Sequence, residues 1–223
     1  MDDLLISGRS LGREDLEALR GARTLIDCDL TEAKLPGLDL DGWTFERCNV
    51  ARADFSGSKL EGTRWTSCRG AFANLSGCDL GEAIFTASDF NNASFRGGTL
   101  EAAKFVRCKL TGADLSEIRA LDIGLEECLL INAKLPGFSF RKTHLARIDL
   151  SQADLRKCDF RLASFDACSL REALLDGARF EGADLRGADL GGVSLDDASR
   201  FRGATISREQ AGQLLSSLGL NVR

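Results

Sequence analysis

The chain has 223 residues, 29 of them Lys or Arg and 34 Asp or Glu, for a formal net charge of −5. At 43% hydrophobic and 28% charged residues it is neither disordered nor membrane-embedded in type, and a single His leaves most acid–base and metal chemistry short of parts. No apolar run nears the ~18 residues of a membrane span, and Met1-Asp2-Asp3 lacks the basic n-region of a signal peptide. A cytoplasmic protein without a membrane partner is expected, and the net acidity argues against direct contact with nucleic acid.

Residues 1–24 are read as an N-terminal cap. Their five-residue slots fall on Ser10, Asp15 and Arg20, and Glu14–Leu19 after Ser10 reads as a short helix. From Leu25 the chain keeps one period. Of the 35 positions taken every fifth residue to Leu195, 21 are Leu and ten are Phe, with Val50 and Trp65 among the rest and only Gly70 and Ala120 small. Two residues earlier in each unit lies a second signal: of 34 such positions, 14 are Ala, 8 are Cys and five are Ser, Thr or Gly. Asp or Asn often stands between, as in Ala53-Asp54-Phe55 and Ala113-Asp114-Leu115.

A period of five fits neither a helix nor a flat strand, so each unit must bend. Residues two apart on an extended segment share a side, which sends the small and the large residue inward together. The remaining two residues turn a corner, and Leu35-Pro36-Gly37 and Leu135-Pro136-Gly137 carry type II turn chemistry. Four corners close a square coil of 20 residues. The prediction over 25–206 is an all-β solenoid, a quadrilateral β-helix whose 35 units would stack to ~42 Å at the strand spacing.

Residues 207–223 form the C-terminal segment. Ser207-Arg208-Glu209-Gln210 reads as an N-cap with a capping box, Ala211, Leu214, Leu215 and Leu218 as one apolar stripe, and Gly219 as the stop. Leu220 and Val222 follow in a short extended tail. A helix this short needs a packing partner. Leu214, Leu215, Leu218, Leu220 and Val222 are therefore expected at a homodimer interface.

No catalytic, cofactor-binding or metal-binding residues are read from the chain. All eight Cys (28, 48, 68, 78, 108, 128, 158 and 168) occupy the inward small slot, where a thiol behaves as a small hydrophobe. His144 precedes the inward Leu145 and is expected on the outside. No Walker loop, dinucleotide fingerprint, nucleophile elbow or zincin motif occurs. The charge pattern says more. The face whose inward residues are Leu40, Leu60, Leu80, Leu100 and Ala120 carries Asp39, Asp41, Glu61, Asp79, Glu82 and Glu101 against Lys59 alone, a local charge of −5. Two readings stand: a solvated acidic face, or a docking strip for a basic groove. In the degenerate stretch Ser116–Ile131, Ile118 and Ile123 replace the small residue, Ala120 replaces the large one, and Leu121, Leu129 and Ile131 gather outside.

The unit A(D/N)LXX resembles that of the pentapeptide-repeat family, over roughly residues 25–206. The resemblance implies a right-handed β-helix. The tail Gly203-Ala204-Thr205-Ile206-Ser207-Arg208-Glu209-Gln210-Ala211, with Gly219-Leu220, is similar to that of the MfpA and Qnr-type topoisomerase-protecting proteins. That resemblance implies a non-catalytic DNA mimic that dimerises through its tail, engages a type II topoisomerase (DNA gyrase or topoisomerase IV) and relieves inhibition by quinolones or natural poisons. The unbroken register is nearer the loop-free MfpA type. A structural or adaptor scaffold for another protein partner is the competing class.

Overall fold

The computed structural model describes residues 5–19, 21–191, 198–217 and 219–221. The chain is a parallel β-solenoid with one short C-terminal helix, in two compact units, Met1–Leu129 and Leu130–Arg223. The first unit holds β1 (Leu5–Ser7), α1 (Arg13–Glu17), β2 (Thr24–Ile26), β3 (Thr44–Glu46), β4 (Arg64–Thr66), β5 (Ile84–Thr86), β6 (Lys104–Val106) and β7 (Gly124–Glu126). The second holds β8 (His144–Ala146), β9 (Ser164–Asp166), β10 (Cys168–Ser169), β11 (Ala188–Asp189), a 3₁₀ turn Ala198–Phe201 and α2 (Arg208–Ser217).

Strand pairing follows the period. Leu25 pairs with Phe45, Phe45 with Trp65, Trp65 with Phe85 and Phe85 with Phe105, each partner one coil on. The inward residues of these strands are buried, and their rings stack: Phe45 on Trp65 at 3.9 Å, Trp65 on Phe85 at 5.6 Å, Phe85 on Phe105 at 4.6 Å. The second unit repeats the device, with Phe140, Phe160, Phe180 and Phe201 stacked at 4.9, 4.8 and 5.0 Å. Trp65 brings a donor into the core. Its Nε1 donates to Thr63 Oγ1 (3.0 Å), which donates on to the Leu60 carbonyl (2.7 Å), so the buried indole is satisfied. Gly70 fits the pattern after all: a Cβ there would lie 2.3 Å from the Phe90 ring, which fills the space one coil above.

Every corner from Asp27 to Gly182 is left-handed at its third residue, and Gly187 is the exception that follows. Pro36-Gly37 and Pro136-Gly137 show the left-handed turn as expected, with φ of +69° and +73° at the glycines. Glycine is not required, however. Every described non-glycine residue with positive φ sits at this same place in the unit, from Asp27 to Glu172, with φ between 49° and 62°. Each such residue costs roughly 1 kcal/mol or more. The ladder holds it there: Glu32 N donates to Ala51 O (2.9 Å) and Arg52 N to Ala71 O (3.0 Å), and the same bond recurs coil after coil.

Both ends differ in detail from the sequence reading. The segment read as a cap already contains sheet, because β1 pairs with β2 through Ile6↔Leu25, and Ser10 bridges to Asp29. That step is 19 residues rather than 20, so a fixed five-residue phase misses it. Helix α1 follows, with Leu16 buried. At the other end Arg200 is one residue extra, absorbed by the 3₁₀ turn. Asp184 then bridges to Thr205 at a step of 21, and Phe201 still lands on Phe180. Val193 and Leu195, the last two slots of the period, lie outside the described residues.

Candidate protein-binding surface

The acidic strip lies wholly in the first unit. Asp39, Lys59, Asp79, Thr99 and Arg119 form one bridged column, each pairing with the next. Asp41, Glu61, Gly81, Glu101 and Leu121 form the column beside it, and Glu82 stands at the adjoining corner with φ of 55°. All six carboxylates are exposed. Two are fixed by backbone as well as by chain direction: Asp41 Oδ1 accepts from Glu61 N (2.8 Å), and Asp79 Oδ1 from Gly81 N (3.2 Å). Gly81 is buried between them, and a Cβ there would lie 3.4 Å from Asp79 Oδ1 and 3.7 Å from Glu61 Cγ.

Lys59 makes its direct ion pair with one acid, and feels the charge of Asp41 as well. Its Nζ sits 3.1 Å from Asp39 Oδ2, and the hydrogen bond from Lys59 holds the Asp39 carboxyl below its usual range. Among the described residues no ion pair involves Asp41, Glu61, Asp79, Glu82 or Glu101. Arg119, at the end of its column, donates to Thr99 Oγ1 (3.3 Å).

Several acids outside the strip are clamped, and in the second unit the clamp has a fixed spacing. Asp154, Asp159 and Asp184 each take a bidentate grip from the arginine two residues on, Arg156, Arg161 and Arg186, at 2.6 to 2.9 Å. Arg179 adds a second cation to Asp159 at 3.1 Å, and Arg171 takes Asp189 at 3.1 Å. The arginine two residues on lowers the carboxyl pKa of Asp154, Asp159 and Asp184, and the hydrogen bond from Arg186 brings Asp184 to about 2. The sequence reading missed this Asp-x-Arg clamp, although the spacing is visible in the chain. Charge divides accordingly: residues 1–129 carry 15 Lys and Arg against 22 Asp and Glu, residues 130–223 carry 14 against 12. The net excess of carboxylate lies in the first unit, although acids there are also paired, Asp27 with Arg47 and Glu32 with Arg52. Asp166, Glu172 and Asp176 of the second unit are exposed, with no ion pair among the described residues.

The eight thiols are buried and free. Several donate back to a carbonyl 23 residues earlier: Cys48 to Leu25 (3.3 Å), Cys68 to Phe45 (3.2 Å), Cys78 to Phe55 (3.0 Å) and Cys158 to Leu135 (3.1 Å). Ser58 and Ser88 fill the same slot and reach Leu35 O and Trp65 O. Burial pushes Cys48 up to about 11 and Cys68, Cys78 and Cys158 up to about 12. Among the described residues no group of His, Cys, Asp and Glu could hold a metal ion, and no helix is long and apolar enough to cross a membrane. His144 is exposed, with Nδ1 2.9 Å from Ser164 Oγ.

The capping box of α2 forms as read. Ser207 N donates to Gln210 Oε1 (2.7 Å), and Gln210 N to Ser207 Oγ (3.1 Å). Gln210 Nε2 also donates to the carbonyls of Leu185 and Ala188, both at 2.7 Å, which ties the helix to the last coils. Gly219 is the left-handed stop (φ +80°): its N–H bonds to Ser216 O, and Leu220 N–H to Leu215 O. The apolar stripe divides. Leu214 is buried, whereas Leu215 and Leu220 are exposed at 39% and 55%. Leu218 and Val222 lie outside the described residues.

Stacked square coils with a filled core and an ordered, charged exterior define a pentapeptide-type β-solenoid that presents surfaces. The chain belongs to the pentapeptide-repeat family: the family's repeat model matches residues 25–62, 48–86, 71–105, 125–161 and 163–203. No curated protein matches it in sequence. Among solved structures it is similar to full-length QnrB1, a plasmid-mediated fluoroquinolone resistance protein, at 22% identity and a TM-score of 0.71, over 90% of this chain and 100% of that one. It also matches HetL, a pentapeptide-repeat protein involved in heterocyst differentiation regulation in the cyanobacterium Nostoc sp. strain PCC 7120, at 22% identity and a TM-score of 0.44, over 83% and 86% of the two chains.

Proposed function

We propose that this protein binds a type II topoisomerase, DNA gyrase or topoisomerase IV, through the acidic face of its first unit, and shields the enzyme from quinolones or natural poisons without catalysing a reaction. The observation that carries this reading is the strip itself: Asp41, Glu61, Asp79, Glu82 and Glu101 exposed on a hydrogen-bonded ladder and bound by no cation among the described residues. Carboxylates repeated at fixed steps on a stiff backbone can meet basic side chains that otherwise hold phosphates, with little ordering cost on association. Likeness to a fluoroquinolone resistance protein supports the fold on which this reading stands. The same reading makes the protein a cytoplasmic homodimer, joined through Leu215 and Leu220 of the tail.

A supercoiling assay with purified gyrase, with and without a quinolone, tests the proposal. Added protein should restore supercoiling in the presence of drug at concentrations that leave the drug-free reaction running. Absence of any binding or protection with either enzyme would refute it and leave a scaffold for a different protein partner.

A further inference from the structure

We propose that Leu121 is the apolar anchor of this docking surface, inserted into an apolar socket within the basic face of the partner; the inference rests on the topoisomerase reading above. Leu121 is 69% exposed, the most exposed large hydrophobic residue among those described. It continues the column of Asp41, Glu61 and Glu101, and its carbonyl accepts from Ala102 N at 2.8 Å. The backbone around it is held, with Arg119 N bonded to Gly98 O (2.9 Å) and Gly124 N to Ala103 O (2.8 Å). The side chain is therefore displayed by an ordered coil.

The local sequence shows what that display costs the fold. Elsewhere the slot at 120 holds Leu or Phe, yet here Ala120 points inward and the leucine follows one position late. Sliding the chain by one residue would bury Leu121, but it would break the ladder on both sides. Half-buried Ile118, Ala120 and Ile123 surround the inversion. A leucine at the end of an acidic strip suits a protein surface with a cationic rim and an apolar pocket, the arrangement in which one buried side chain contributes much of the affinity. Phosphate chemistry alone would have no use for it.

The test is a titration of DNA gyrase, or of topoisomerase IV where gyrase does not bind, with wild type, Leu121→Ala, Leu121→Met, Phe72→Ala and the strip variant D41N/E61Q/D79N/E82Q, at low and at physiological salt. Phe72 is the control, since it is 56% exposed in the same unit but at another corner, with Arg52 over its ring. Leu121→Ala should weaken binding about tenfold or more by the same factor at both salt concentrations, because apolar burial is not screened. Leu121→Met should keep most of the affinity, Phe72→Ala all of it, and melting temperatures should move by no more than a degree or two. The strip variant should lose affinity mainly at low salt. Wild-type affinity in Leu121→Ala, or an equal loss in Phe72→Ala, would overturn the anchor and leave the strip standing. A wild type that binds neither gyrase nor topoisomerase IV at either salt concentration would overturn both.

Discussion

Truncating Phe95 to alanine removes a ring that is fully buried in the first unit. The ring meets Phe85 and Phe105 edge-on at 6.0 and 5.7 Å and Phe90 at a tilt at 6.1 Å. Returning ~100 Å² of apolar burial to the balance costs about 2.5 kcal/mol at ~25 cal/mol per Å². The lost ring contacts add roughly 1 kcal/mol. The cavity adds more, because the coils cannot close over it: Phe95 N donates to Asp114 O (2.8 Å) and Ser94 bridges both Asn74 and Asp114, which fixes the spacing above and below. The expected total is about 3–5 kcal/mol, or ~10 °C in melting temperature for a chain of this size. Circular dichroism melts of wild type, Phe95→Ala and Phe72→Ala decide the matter. Phe72 is the same residue type on the outside of the same unit, so its loss should shift the melt by a degree or two, as surface changes do. Equal melts for wild type and Phe95→Ala would refute the inward register, and the assignment of the outward faces with it.

Three further outcomes are expected. The thiols should stay unreactive in native protein at pH 8 and all eight should react on unfolding, which a colorimetric thiol titration measures. The raised folded pKa values of Cys48, Cys68, Cys78 and Cys158 also set a sign: an unfolded thiol ionises near 8.5, while these four hold their protons to about 11 or 12. Stability should be complete below pH ~8.5 and fall as pH rises toward 11, by up to ~1.4 kcal/mol per pH unit per thiol; a urea midpoint unchanged between pH 8 and 10 would contradict this. Changing Asp41, Glu61, Asp79 and Glu82 together to amides should weaken gyrase binding and flatten its salt dependence, with unfolding free energy altered by less than about 1 kcal/mol. Asn at 41 and 79 keeps an acceptor for the Glu61 and Gly81 N–H groups, and Asp189→Asn, already taken by Arg171, should leave binding alone. Finally, Leu215→Arg with Leu220→Arg should yield a monomer by light scattering. Removing 207–223 is the poorer test, because it also strips Gln210 from the Leu185 and Ala188 carbonyls.

A period of five with paired small and large residues determines the solenoid by itself, because only a coil with four corners sends both inward at every step. That arithmetic placed the core, the buried thiols and the outward acids correctly from Leu25 to Leu190. The capping box and Gly219 were equally legible, since cap chemistry is local. Tertiary structure alone decided the rest. β1 joins the sheet one residue out of phase, which a fixed period cannot detect and a backbone ladder readily accepts. Most corners use left-handed non-glycine residues, a conformation disfavoured locally and imposed by bonds to the neighbouring coil. Above all, the sequence counts charges without saying which are already bound. Neutralisation depends on side chains meeting across 2 or 20 residues, so only the structure separates clamped acids, such as Asp159 between Arg161 and Arg179, from the open carboxylates of the strip.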